Sequence, residues 1–509
     1  MGTAVKNALD KPRPESLVAE ESPATSEGHM RRMDVTFSLW STLGLVYSVT
    51  ATPIAIGAYL SFSLVLGGSP FYLYGYIFAV TFNIVLCVAL AEVSSLYPHP
   101  SGHIYWVGKL SPEKWSLFLS YWTGAFTSAA WFFWTSGTYL LTAQILSAAI
   151  QVLYPTVTPA AWHVVLMAWA QALVSVAWNI PFFKTWPYAL KTMIFITNAG
   201  ALFIAISLLV RANPKQSARS VFVDVANTSG WTSNGVVFFL GLLPGATSIN
   251  GFDSAAHMVE EMPDPVRQVP QVMVGNALLS GFLGLPMIIV LCFCITNLDN
   301  LLAPVGGVTL IQLFNDSLDS EPLFIVCSLF CILATVIAAT ACTTTCSRVW
   351  WSFAEHQGLP FSSWFAVIHR TKLWTVPVNA TLTTMVLSCL IILLNLGPSF
   401  VLGALFTAAD VCFYMSYFIT LGCFLHRKWS QGVPAHYFDL RFLSNTVAIT
   451  GAVWAVFVSV WLVFPYYRPV TSGNMNYAVA IIGTVVAIFT VDWLVRARKS
   501  YLIPSPILL

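Results

Sequence analysis

Twelve apolar stretches, each long enough to cross a bilayer, follow one another at about 37–66, 71–96, 115–153, 161–182, 187–210, 235–262, 270–296, 322–353, 376–396, 399–425, 444–466 and 474–496. A hydrocarbon core of ~30 Å takes about 20 residues of helix to span. Every backbone polar group inside it must be bonded internally, which leaves helices and closed barrels as the only spanning structures. Runs of this length select helices. The chain is therefore expected to be an all-α membrane protein with 12 transmembrane helices. Its 57% hydrophobic and 9% charged residues agree, since a soluble domain carries ~25% charged residues.

Charge placement gives the orientation. With the N-terminus inside, all but four of the 23 Lys and Arg fall on the cytoplasmic side, the exceptions being Arg211, Lys215, Arg219 and Arg468. The opposite topology would invert that bias, so both termini are expected in the cytoplasm. Residues 1–34 read as a disordered cytosolic tail, polar and without the apolar core of a signal peptide. There follow a five-helix repeat at 35–212, an extracellular loop at 213–234, a second five-helix repeat at 235–428, helices 11 and 12 at 429–496, and a cytosolic tail at 497–509. An odd number of spans per half makes the second half enter from the opposite side, a 5+5 inverted repeat with two extra helices. Asn227 and Asn315 open glycosylation sequons in the expected outside loops. The ten Cys lie in or beside spans without zinc-site spacing and read as buried thiols, so no metal is expected. No phosphate-binding GxxxxGK[ST] loop occurs, which argues against ATP-driven pumping. The lipid bilayer is the expected partner; neither a nucleic acid nor a cofactor is expected.

Two spans are interrupted in the middle. The stretch 44–68 contains Thr50-Ala-Thr52-Pro53 and Gly57, and 241–262 contains Pro244-Gly245 and Ser248-Ile-Asn250-Gly251 before Phe252-Asp253. These are spans 1 and 6, the first helix of each half. Paired broken spans point to a binding site at the membrane midplane, where half-helix ends offer free amides, free carbonyls and opposed dipoles. Thr50, Thr52, Ser248, Asn250 and Gly251 are the candidate ligands at those ends. The alternative is that Pro53 and Pro244 only kink continuous helices.

Three motifs carry a family likeness. Asn250-Gly-Phe-Asp253-Ser-Ala-Ala-His257-Met-Val-Glu260-Glu261 resembles the sixth-span signature of the fungal amino acid/choline transporters, within the amino acid–polyamine–organocation superfamily. Ala91-Glu92-Val-Ser-Ser-Leu-Tyr-Pro98, followed by Ser101-Gly102-His-Ile-Tyr105, is similar to the superfamily's loop after span 2. Ser347-Arg348-Val and Phe353-Ala354-Glu-His-Gln-Gly358-Leu-Pro360 are similar to its ending of span 8. The resemblance implies a leucine-transporter-type fold over about residues 35–500. Two departures stand out. Related proteins often break span 1 with glycines whose bare amides hold a carboxylate, whereas Pro53 has no N–H to give. Asp410 lies in span 10, where the resemblance implies an apolar residue.

Further candidates follow from the cost of burying charge and from aromatic chemistry. Asp253 opens the second half of span 6, either capping its amides or serving as ammonium ligand or coupling-proton site. His257, one turn on, either packs as a neutral ring or relays that proton. Asp410, near mid-depth, pairs with a hydroxyl or binds substrate. Glu92 reads as structural. Trp131, Phe132 and Trp134 in span 3 and Phe252 beside the break offer faces for a quaternary ammonium. Tyr414 and Tyr417 are weaker choices. Thr344 and Thr345, with Thr343, occupy a depth where related folds hold sodium; the alternative is helix-to-helix bonding.

The expected function is a secondary active permease for a small amino compound such as choline, an amino acid or γ-aminobutyrate. Coupling to protons is favoured over sodium on the resemblance and the Asp253/His257 pair. The plasma membrane is the expected location, with vacuolar or other endomembranes open. An amine-bearing secondary metabolite as substrate and a nontransporting nutrient sensor are the rival readings; a sensor would normally add a long tail, and only about 13 residues follow Arg496. An enzyme finds no support, since no nucleophile–His–acid set is legible.

Overall fold

The computed structural model describes residues 29–30, 33–371, 374–397 and 401–508. Its helices include 12 long and apolar enough to span, and they are numbered here in chain order: Leu39–Val65, Gly68–Leu96, Glu113–Leu153, Ala161–Asn179, Phe183–Arg211, Asn234–Glu261, Pro265–Phe293, Glu321–Glu355, Val378–Leu396, Val401–Ser430, Arg441–Val463 and Ala478–Ser500. Each matches an expected stretch to within a few residues. Residues 1–28 of the expected tail lie outside the described residues. Asp34 and Met33, counted in that tail, are docked: the Asp34 carboxylate accepts from the Thr375 hydroxyl at 2.7 Å, and the Met33 amide donates to Glu260 at 3.1 Å.

The interruptions fall in spans 1 and 6, the spacing an inverted five-span repeat demands. Both broken spans are mostly packed inside the bundle, whereas span 12 is almost entirely on its outside. Spans 2, 5, 7 and 8 pack most closely against them. The loops before span 6 and after span 11 meet: the Arg468 amide donates to the Ser229 carbonyl at 2.8 Å, and its guanidinium lies 3.8 Å from the Trp231 ring. Those two loops carry Lys215, Arg219 and Arg468, and Arg211 ends span 5, so the four basic residues assigned to the outside cluster here. On the opposite side Arg496 reaches the carbonyls of Gln357 and Gly358 at 2.8 and 3.2 Å. Of the ten thiols, all free, only Cys389 is not fully buried.

Glu92 is structural, as expected. At the C-terminal end of span 2, it accepts from the Ser444 hydroxyl at 2.7 Å and faces His436 Nε2 at 3.5 Å, holding the loop between spans 10 and 11. His436 Nδ1 donates to the Pro434 carbonyl at 2.9 Å, so a proton on Nε2 completes the pair. The hydrogen bond to Glu92 raises the His436 pKa above the usual imidazole value, against the opposing effect of partial burial. A raised folded-state pKa means the contact is fully present below about pH 6.5 and is lost as pH climbs through the raised value. Amide exchange in 433–440 should therefore quicken between slightly acidic and alkaline pH more than it does in His436→Phe; equal pH responses would remove His436 from the latch.

Candidate functional site

Span 1 breaks at Ala51, whose backbone is left-handed (φ 42°, ψ 38°). The cause is two residues downstream. Pro53 has no N–H, and its ring would strike the carbonyl one turn back, so the helix Leu39–Thr50 cannot continue. Pro53 instead sits in the first turn of a new segment, 52–65, where a missing amide costs little. Gly57, expected at the break, lies inside that segment, in the 3-10 turn Ile56–Tyr59. The Ile54 and Ala55 amides both donate to the Ala51 carbonyl at 3.0 Å, so neither is bare.

Span 6 breaks at Gly251 (φ 81°, ψ 8°). The part that follows, Phe252–Glu261, is a 3-10 helix, not the α-helical half expected. Ten residues of 3-10 geometry, all buried, are unusual, and such stretches mark hinges or strain. The Thr52 hydroxyl donates to the Ser248 carbonyl at 2.5 Å and ties the two breaks together. The Ser248 hydroxyl turns back to the Pro244 carbonyl. Two breaks with left-handed residues replace the alternative of simple proline kinks.

Between the breaks lies a cavity of about 40 Å³. Thr50, Thr52, Ser248 and Trp134 line it, as the sequence suggested. So do Tyr59, Thr138 and Phe406, which the sequence reading missed. Tyr59 sits two turns beyond Ala51, and that spacing was its one available signal. No charged side chain lines the cavity. Trp134 Nε1 is buried without a hydrogen-bond partner, so its N–H is free to donate to a bound solute.

The remaining candidates sit behind or below the cavity. Asn250 Nδ2 donates to Asp410 Oδ1 at 2.7 Å, while Asn250 Oδ1 and Asp410 Oδ2 have no hydrogen-bond partner. Tyr59 is within electrostatic reach of Asp410 and links that carboxyl to the cavity wall. Gly251 packs against Val49 and the Trp131 ring. Phe252 stacks on Tyr417, with ring centres 5.2 Å apart, and does not line the cavity. Trp131 is not a cage wall either; its Nε1 donates to Asp253 Oδ2 at 3.1 Å. Phe132 turns away, toward Trp350. Tyr414 donates to Asn83 Oδ1 at 2.9 Å.

Asp253 does not cap the half-helix. Its Oδ1 accepts from the Tyr417 hydroxyl at 3.0 Å, and its Oδ2 faces His257 Nε2 at 3.5 Å and His103 Nδ1 at 3.8 Å. All three side chains are fully buried. His103, near the end of the loop motif after span 2, was quoted in the sequence without being singled out.

The Thr344 hydroxyl is fully engaged, donating to Asn179 and accepting from Trp186 at 2.7 and 3.1 Å. Thr345 bonds back to the Ala341 carbonyl at 3.2 Å, and Thr343 meets Tyr139 at 2.6 Å. These are helix-to-helix and within-helix bonds. Asn227 uses its amide to donate to the Trp231 carbonyl at 2.7 Å, while Asn315 is exposed on the helix Thr309–Leu318.

Residues 37–487 match the amino acid permease family over most of their length. The chain belongs to that family. The permease is 30% identical to a choline transporter of Saccharomyces cerevisiae over 89% of its own chain and 79% of the relative. It is 28% identical to a putative amino acid/polyamine transporter of Macrophomina phaseolina (86% and 97% covered). It is 26% identical to a swainsonine transporter of Arthroderma benhamiae (91% of each). The permease is thus a multi-pass membrane transporter rather than an enzyme.

The sixth-span and eighth-span motifs of the permease turn out to be in contact. Arg348 Nε donates to Glu261 Oε1 at 3.1 Å, with both side chains buried. Glu261 Oε2 accepts from the Thr36 hydroxyl at 3.2 Å, and its carbonyl accepts the Thr36 and Phe37 amides at 3.1 and 2.9 Å. This ties the inner ends of spans 6 and 8 to the segment leading into span 1.

Proposed function

We propose that the permease moves a small amine-bearing solute, such as choline, an amino acid or γ-aminobutyrate, across the plasma membrane together with protons. The observation that carries the proton reading is the orientation of His257. Its Nδ1 lies 2.9 Å from the Pro100 carbonyl, which can only accept, so Nδ1 bears the hydrogen. Nε2 then points its lone pair at Asp253 Oδ2, 3.5 Å away. Two lone pairs at that distance in a buried site repel unless one proton lies between them. The pair is therefore a site for one proton beside the broken backbone.

The solute reading rests on the cavity. Aromatic rings of Trp134, Tyr59 and Phe406, with the hydroxyls of Thr50 and Ser248, suit an ammonium or its methylated forms. Asp410, behind Tyr59 and Asn250, is the carboxyl within electrostatic reach of the cavity wall. The amides that would hold a carboxylate at span 1 are spent on Ala51. The similarity to a choline transporter supports the amine end as the recognised group. An amine-bearing secondary metabolite is the second reading, favoured by the similarity to a swainsonine transporter. We propose, from the asymmetry of basic residues, that both termini are cytoplasmic, so Thr232→Cys should react with an impermeant reagent applied outside intact cells; protection there together with labelling of the N-terminal segment would reverse the orientation.

Radiolabelled uptake into cells lacking their own permeases tests substrate and coupling together. Choline or another carboxylate-free amine should compete with any amino acid taken up. Competition by α-amino acids alone, with their methyl esters inactive, would overturn the amine reading. At equal surface level Asp253→Asn should lower uptake by about tenfold or more, the kinetic equivalent of ~1.4 kcal/mol, and flatten its dependence over about pH 5 to 8. Asp410→Asn should change the order of preferred substrates. Wild-type rates and profiles in both variants would reduce the two acids to packing.

A further inference from the structure

We propose that His103 is the cytoplasmic acceptor for the proton held by Asp253 and His257, and that the loop segment 99–103 is the gate through which this proton leaves. The proposal rests on the proton-coupled reading of that pair. It concerns a residue on a different element, the short helix His103–Leu110 between spans 2 and 3.

The geometry places His103 on the same carboxylate oxygen as the pair. Its Nδ1 lies 3.8 Å from Asp253 Oδ2, the atom that His257 Nε2 approaches at 3.5 Å from another side. Both ring nitrogens of His103 are buried, and neither has a hydrogen-bond partner among the described residues. A buried polar atom left unbonded is costly, and an imidazole that only packed would not be expected to leave both nitrogens unbonded. Trp106 and Tyr417 enclose the ring, with centres 4.7 and 5.1 Å away. The titratable groups facing it are Asp253 and His257 from span 6 and Tyr417 from span 10; Cys87 of span 2 lies within electrostatic reach of Asp253.

The loop that carries His103 also closes the site. Pro100 gives its carbonyl to His257 Nδ1 at 2.9 Å. Gly102 holds a backbone φ of 50°, and a Cβ there would lie 3.0 Å from His257 Cε1, so the chain runs directly against the imidazole. His99 Nδ1 accepts the Ser101 amide at 3.0 Å, and its Nε2 donates to the Ser505 carbonyl at 3.0 Å, which ties the loop to the C-terminal segment. Withdrawing 99–103 would therefore free His257 Nδ1, separate His103 from Asp253, and open the pair to water on that side.

The transfer balances on the atoms present. The shared proton breaks its bond to Asp253 Oδ2 or His257 Nε2 and forms a new N–H at His103 Nδ1. The His103 imidazolium then releases that Nδ1 proton to water, which restores the Nε2–H tautomer with Nδ1 open for the next transfer. In the closed arrangement burial holds the His103 pKa down to about 4, with Asp253 opposing and His257 adding to the shift. The ring is then neutral and does not drain the pair. As water reaches the ring, before the loop withdraws, its pKa returns toward ~6.5, and the ring, still 3.8 Å from Asp253 Oδ2, takes the proton and carries it away with the loop. Protonation of His103 accordingly favours the withdrawn loop.

The test compares net proton-coupled uptake with substrate exchange in proteoliposomes, because exchange returns each proton by the path it came. A pH dye inside the vesicles records proton flux. In His103→Gln, uptake and proton flux should fall by about tenfold or more, while exchange falls by less than about threefold. An equal fall in uptake and exchange would make His103 a packing residue and overturn the proposal, as would unchanged uptake. His103→Ala is measured alongside; should it fail to insert, the glutamine variant, closer in shape, carries the comparison. If the wild-type permease moves substrate without any proton flux, it is the proton-coupled reading itself that fails.

Discussion

Gly251→Leu should abolish transport while the protein still reaches the membrane. Two costs combine. At φ 81° a residue with a Cβ is strained, by roughly 1–2 kcal/mol. The added Cβ would lie 3.0 Å from Val49 Cγ1 and 3.1 Å from Trp131 Cη2, and the rest of the leucine must then displace one of them. Val49 belongs to the last turn before the span 1 break, and Trp131 holds Asp253. Either displacement spoils the contact between the two breaks or the setting of the proton pair. Uptake at equal surface level should fall by about fifty-fold or more, equivalent to ~2.3 kcal/mol in barrier. Gly251→Ala, which brings the strain and one methyl, should lie between. Normal uptake in the leucine variant would show that the left-handed turn is dispensable to the transport cycle.

Arg348→Met should be among the most destabilising single changes in the chain. Glu261 is 2% exposed at its side chain and Arg348 is 0% exposed, so removing the guanidinium strands a buried carboxylate. Breaking such a pair from one side costs about 3–5 kcal/mol. The Arg348 group also donates to the Ser347 hydroxyl at 3.0 Å and lies 4.9 Å from the Phe183 ring, so hydrogen bonding and packing are lost with the charge. The double variant Arg348→Met with Glu261→Leu should recover part of the loss, because a well-packed apolar pair can replace a buried ion pair at little cost. The unfolding temperature of the purified permease and its surface level are the measurements. An Arg348→Met protein with unchanged unfolding temperature would show that water reaches Glu261 and that the pair is not closed.

Replacing Glu261 and replacing Asp253 should differ in kind, although both acids lie on one ten-residue segment. Glu261 is fixed by Arg348 and the segment before span 1, and its loss acts through folding. Asp253 is held by the neutral donors Trp131 and Tyr417, with two imidazoles beside it, and its loss acts through the transport cycle.

Much of this molecule was written in local sequence. Apolar run length set the twelve spans, because a bilayer fixes how many residues a crossing takes. Pro53 and Gly251 set the two breaks, since each acts on its own helical turn whatever packs around it. From these followed Thr50, Thr52 and Ser248 at the cavity. The partners of the buried polar groups were decided by tertiary structure alone. His103 meets Asp253, Asn250 meets Asp410, and Glu261 meets Arg348 across separations of 87 to 160 residues in sequence. Apolarity gives no help here, since lipid and protein interior both accept the same side chains; spans 2 and 12 are about equally apolar, yet one is mostly packed and the other faces outward. Only the packing of span against span shows which Trp lines the cavity and which holds a carboxylate, and which histidines stand beside Asp253.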